Sequence, residues 1–152
     1  MHRYVRDTQA KPAAGLEVGG LPATAEPFKL LTLRATLVTS ATVADRWPHF
    51  QFVTPSGDVF FECVPSAAQA ASKTITYQLT ADSGAPNEGS AVNDDVAGLS
   101  LPGFWMPDQT KVKTVTTAID PADQWEGIYL TYLVRDDQGF RREVLELLEQ
   151  NG

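Results

Sequence analysis

The stretch from Leu30 to Val64, LLTLRATLVTSATVADRWPHFQFVTPSGDVFFECV, constrains the fold more than any other part of the chain. Leu31, Leu33, Ala35 and Leu37 alternate with Thr32, Arg34 and Thr36, and after a polar break at Thr39 to Arg46 the pattern resumes with Phe50 and Phe52 on one side. A period of two belongs to strands with one buried face. Thr54-Pro55-Ser56-Gly57-Asp58 reads as a turn, because proline presets φ and glycine accepts a positive φ. The strand from Trp47 therefore returns as a hairpin along Val59 to Val64. Pro48 cannot donate to a ladder, which points to an edge position or a strand start. The returning strand has Val59, Phe61 and Cys63 on one face and Phe60, Glu62 and Val64 on the other, a pattern suited to the middle of a sheet or to a partner.

Further strands are expected at Lys73 to Thr80, with Ile75, Tyr77 and Leu79 inward, at Lys111 to Ile119, and at Gly127 to Arg135, with Ile128, Leu130, Tyr132 and Val134 on one face. Pro65 to Ser72, PSAAQAAS, reads as a crossing between sheets. Ala81 to Gly98 reads as a long acidic loop, and LSLPGFWMPDQ as a short irregular strand ending in the Pro107-Asp108 turn. Residues 1–26, with Pro12, Gly15, Gly19, Gly20 and Pro22, lack periodicity and read as an extended arm, held by a groove on its own domain or by a neighbouring subunit. Residues 27–135 form the sandwich domain. Residues 136–152 supply a turn, Asp136-Asp137-Gln138-Gly139, and an amphipathic helix from Phe140 to Gln150 whose apolar stripe needs a docking surface. The expected class is all-β, an antiparallel β-sandwich, with a jelly roll as the first expectation and a simpler sandwich as the second.

Composition narrows the function. A net charge of -7 disfavours nucleic acid, whose phosphates require clustered Lys and Arg. No apolar run nears the roughly 20 residues of a membrane-spanning helix, and the start, MHRYVRDTQA, has no apolar core of an export signal. Cys63, the single cysteine, excludes an intrachain disulfide and suits synthesis in a reducing cytoplasm; on a strand it reads as a small hydrophobe. His2 and His49 have no third ligand at a metal-binding spacing, and Asp82, Glu88, Asp94 and Asp95 fit no calcium-loop pattern. Asp120 and Asp123 read as turn formers. Ser56-Gly57 lacks the glycines of a nucleophile elbow, so no catalytic residue, cofactor or metal site is assigned. What the chain does offer is apolar surface for assembly: Tyr4, Val5, Leu16 and Leu21 in the arm, Phe60 and Val64 on the hairpin, Phe104, Trp105 and Met106 in GFWMP, and Val144, Leu147 and Leu148 in the helix. Trp47, Trp105 and Trp125 read as core or interface anchors in preference to sugar platforms. A glycan-binding module using Trp105 or Trp125 is the alternative from a different class.

The segment LRATLVTSATVADRWPHFQF, the hairpin after it and FFECVPSAAQAAS resemble small structural proteins of tailed-bacteriophage virions. Thr39 to Arg46 and Val64 to Ser72 carry the resemblance most closely, and LPGFWMPDQTKVKTVTTAIDPADQW resembles a later part of the same pattern. The similarity spans roughly residues 30–134 and contains no catalytic signature. It implies a jelly-roll-like virion component without enzymatic activity, a decoration or cement protein on the capsid, with a neck, tail or fibre-base protein as the alternative. Its partners would be the major capsid protein or other virion proteins and further copies of itself.

Overall fold

A computed structural model of the chain describes residues 2–81, 91–92, 96–135 and 147–150. Among these residues there are nine strands: β1 (His2–Gln9), β2 (Phe28–Val38), β3 (Trp47–Val53), β4 (Val59–Cys63), β5 (Thr74–Ala81), β6 (Ala91–Val92), β7 (Val96–Leu101), β8 (Lys111–Thr117) and β9 (Gln124–Arg135). They form a six-stranded sheet, β1-β9-β2-β5-β7-β6, and a three-stranded sheet, β4-β3-β8. The protein is a β-sandwich whose two sheets share one core. Leu33, Leu37, Tyr77, Leu79, Leu99 and Leu130 from the large sheet meet Phe50, Phe52, Cys63 and Val112 from the small one. At the centre, Trp125, Phe50 and Tyr77 pack ring to ring with centroids 5.8–6.0 Å apart. Trp125 is fully buried, which removes it as a sugar platform.

Much of the alternation survives as burial. Ile75, Tyr77 and Leu79 point inward, as do Ile128, Leu130, Tyr132 and Val134. The hairpin closes where the turn residues require, with Gly57 at φ +92° donating its amide to the Thr54 carbonyl at 2.8 Å. One face assignment changes. Against β9, Leu30 pairs with Tyr132 but Thr32 with Thr131, so Leu31 is an extra residue in a bulge and only partly buried, while Phe28 and Leu30 point inward. A second bulge lies on β9, where Gly127 at φ +58° supplies the left-handed residue this arrangement favours.

Three expectations are corrected. The sheets are not antiparallel throughout, because β5 pairs in parallel with β7. A parallel return needs a long crossover, of about a dozen residues or more, and residues 82–95 provide that length. Val96 to Gly98, expected in the loop, begin β7, while residues 82–90 and 93–95 lie outside the described set. Of the two positions expected for Pro48, an edge or a strand start, the structure has the second: Pro48 is the second residue of β3, the middle strand of the small sheet, and precedes the β4 ladder, which begins at Phe50. The last correction concerns the arm. His2 to Gln9 is a full edge strand paired with β9 from His2↔Arg135 to Gln9↔Ile128. It showed no periodicity because backbone ladders are indifferent to side chains, and only Val5 of this strand packs on the core.

The rest of the arm crosses to the small sheet. Leu21 and Val112 exchange backbone hydrogen bonds, Thr114 donates its amide to Val18, and both Val18 and Leu21 are buried. The arm thus covers the edge of β8 that would otherwise be open to pairing. Gly15, at φ +79°, donates to the Asp123 carbonyl at 2.7 Å, and a Cβ there would approach the Pro121 backbone to 2.9 Å. At the other end residues 147–150 are helical, with Leu147 and Leu148 exposed. The expected turn at 136–139 and the first part of the helix, including Val144, lie outside the described residues.

Candidate functional site

The densest polar chemistry is at one end of the sandwich, around Arg46. This side chain is completely buried, and every guanidinium nitrogen is used. Nε and Nη2 donate to the two carboxylate oxygens of Asp123 at 3.0 and 3.2 Å, Nη1 to the carbonyls of Thr42 and Ala44 at 2.8 and 2.7 Å, and Nη2 also to Ser40 Oγ at 3.2 Å. Asp123, equally buried, accepts two further bonds from the amides of Ser40 and Asp120, both at 2.8 Å. Burial penalises its charge, but the bonds from Arg46 and from those amides outweigh the penalty and hold its pKa below the usual carboxylate range. Asp120 is also lowered, first by the Ala122 amide and then by the Ser40 hydroxyl. Read from sequence as turn formers, Asp120 and Asp123 do close a turn, with the Asp123 amide on the Asp120 carbonyl at 2.9 Å. What local spacing did not reveal is that the same carboxylate neutralises Arg46, which is remote in sequence. With every nitrogen of the Arg46 guanidinium and both oxygens of Asp123 engaged, the pair is a clamp.

A second clamp fastens the arm. Glu17 Oε1 accepts bonds from Thr114 Oγ1 at 3.1 Å, Thr116 Oγ1 at 2.8 Å and the indole Nε1 of Trp125 at 3.1 Å, while Oε2 accepts the Thr116 amide. Neither Glu17 nor its partners stood out in the sequence, because a single acid in a Gly/Pro-rich segment has no local signature. Cys63 is buried and donates its thiol to the Ser100 carbonyl at 3.3 Å, joining the two sheets. Burial, with a smaller contribution from the Glu62 charge, pushes that thiol up to about 12, so it is chemically quiet. His49 lies 3.0 Å from Glu62 on the outer face of the small sheet. Burial opposes ionisation of Glu62, but bonds from Gln51 and His49 prevail and lower its pKa. Among the described residues no three His, Cys, Asp or Glu side chains converge as a metal site would require.

The predicted contact residues separate by location. Leu21 and Met106 belong to the protein's own core; Met106 is 0% exposed and exchanges backbone bonds with Phe28. Val5 is partly buried against that core, and Val64 and Trp105 are half-buried, with the Trp105 ring 4.6 Å from that of His2. Tyr4, Leu16, Phe60 and Phe104 are exposed. Phe104 stacks edge-on with Phe61 at 6.1 Å, which places it beside β4, the outer strand of the small sheet among the described residues, where Val59 and the bulged Phe60 are also exposed. A depression of about 490 Å³ lies elsewhere, on the outer face of the large sheet. No protein-family model, curated protein or solved structure matches the chain.

Proposed function

We propose that this protein is a structural component of a tailed-bacteriophage virion, a decoration or cement protein that binds the capsid shell and neighbouring subunits and performs no catalysis. One observation carries the reading. The segments that resemble virion proteins, Thr39 to Arg46, Val64 to Ser72 and the Asp120 to Asp123 turn, are remote in sequence yet meet around the buried side chains of Arg46, Gln69 and Asp123. Arg46 and Gln69 exchange backbone bonds at 2.9 and 2.8 Å, and Arg46 is paired with Asp123. Gln69 extends the unit into the core, donating to the Leu37 carbonyl at 2.7 Å and accepting the Tyr77 hydroxyl at 2.9 Å. The matching residues therefore encode a scaffold, as a structural protein requires. From β2 onward the described strands pass between the sheets four times, at β2–β3, β4–β5, β7–β8 and β8–β9, which supports a jelly-roll-like wrapping, with the parallel β5–β7 pair as its departure from an all-antiparallel form.

In this reading attachment uses the exposed aromatic margin of β4, with Phe60 and Phe104, together with Leu16 at the bend of the arm. Mass spectrometry of purified virions is the test, with the chain expected on the order of hundreds of copies per particle for shell decoration and about six to a few dozen for a neck or vertex ring. Joint replacement of Phe60 and Phe104 by Ser should release it from capsids while leaving its thermal midpoint nearly unchanged. Absence of the chain from virions would overturn the proposal.

A further inference from the structure

The depression on the outer face of the six-stranded sheet is lined by the side chains of Thr32, Arg34, Gln78, Thr80, Tyr129 and Thr131. Arg34 stands in register with Tyr129 on β9 and with Gln78 on β5, so these three form one row across three strands. At about 4.8 Å per strand the row spans roughly 10 Å, the width of one or two sugar rings. Gly98 continues the row on β7, and the space where its side chain would stand is open. One row away lie Thr131 and Thr32, whose hydroxyls bond at 2.6 Å; one row the other way lie Glu126, Thr36 and Thr76, the two hydroxyls bonding at 2.9 Å. The bulges at Leu31 and Gly127 bracket the row and bend β2 and β9 beside it.

The polar groups in this row are uncommitted. Among the described residues, no hydrogen bond or ion pair engages the side chains of Arg34, Gln78 or Tyr129, and Glu126 makes no ion pair with Arg34. The contrast with Arg46, all of whose donors are used, is sharp, and it occurs in a chain of net charge -7. An exposed guanidinium in register with a phenol ring that is 52% exposed presents an anion fork next to an aromatic platform.

We infer that this row is a binding site for an acidic saccharide, a sugar ring bearing a carboxylate. The fork of Arg34 matches the two oxygens of a carboxylate, the face of Tyr129 matches the C–H face of a pyranose, and Gln78 with Thr80 supplies donors and acceptors for ring hydroxyls. A neutral sugar leaves Arg34 unpaired, and an inorganic anion leaves the ring and most of the volume unused. The site shares no residue with the aromatic margin of β4, so its occupancy and virion attachment succeed or fail separately.

The experiment is an NMR titration of the full ¹⁵N-labelled chain with N-acetylneuraminic acid and with trigalacturonic acid, using maltotriose and inorganic sulfate as controls. Saturable shifts are expected at the amides around Arg34, Gln78 and Tyr129, with a dissociation constant on the order of 1 mM for the better acidic ligand. Arg34→Ala should weaken binding about tenfold or more without changing the thermal midpoint, Arg34→Lys should recover only part of it, and Tyr129→Ala should weaken it several-fold. The assignment is overturned if neither acidic saccharide shifts these amides at about 20 mM, if maltotriose or sulfate reproduces the shifts, or if Arg34→Ala leaves them unchanged.

Discussion

Replacing Asp123 by Asn is the sharpest probe of what holds this sandwich together. The carboxylate has four donors on it, two from Arg46 and one each from the amides of Ser40 and Asp120, and both Arg46 and Asp123 are fully buried. Asparagine keeps the shape and one acceptor oxygen. In either orientation, however, its NH₂ faces two donors and Arg46 loses its counter-charge. Removing one partner of a buried ion pair costs about 3–5 kcal/mol, and a buried amide without an acceptor about 1–3 kcal/mol more. These terms overlap, so a loss of about 4 kcal/mol is expected, a large part of the 5–15 kcal/mol that stabilises a typical domain. With a urea dependence of about 2 kcal/mol per molar, the midpoint should fall by roughly 2 M, and the thermal midpoint by about 10 °C. Fluorescence of the buried Trp125 reports the transition. Adding Arg46→Met should restore about 1–3 kcal/mol relative to the sum of the single changes, because the unpaired charge then disappears. A cost under about 1 kcal/mol for Asp123→Asn, or strict additivity in the cycle, would refute the clamp.

Two further outcomes follow from the same geometry. Asp123, Asp120 and Glu62 all have lowered pKa values, so their contribution is complete above the carboxylate pKa of the unfolded chain and is lost as pH falls through the folded values. Urea midpoints should therefore be level between about pH 7 and 5 and decline below about pH 4, and a midpoint still level near pH 2.5 would contradict this. Glu17→Ala should strip the acceptor from the Trp125 indole and the Thr116 amide, cost about 2–4 kcal/mol, and speed amide exchange at Val18, Val112 and Thr114 more than in β2 and β9; unchanged exchange there would show that Glu17 does not fasten the arm.

Strands β2, β3, β5, β8 and β9 were readable because one buried face imposes a period of two on neighbouring residues, and the β3–β4 turn because proline and glycine act within a few residues of themselves. The same logic failed where no local pattern exists. β1 is an edge strand with little buried surface, the Leu31 bulge depends on what β9 presents opposite it, and Met106 looked like an exposed anchor until its pairing with Phe28 placed it inside. Of the predicted contact residues, Phe60 and Phe104 are exposed beside one sheet margin, whereas Leu21 and Met106 are buried in the core.

By itself the sequence determined the mostly β character, the inward faces of the main strands and the hairpin turn, all of which follow from interactions between residues close along the chain. Only the tertiary structure decided that β5 and β7 run parallel, that residues 2–26 complete both sheets, and that Arg46 and Asp123, separated by most of the domain, neutralise each other. It likewise decided that Arg34, Gln78 and Tyr129 stand in one row. Pairings between distant residues are set by register and by what remains to be covered when the sheets close, and no local spacing records them.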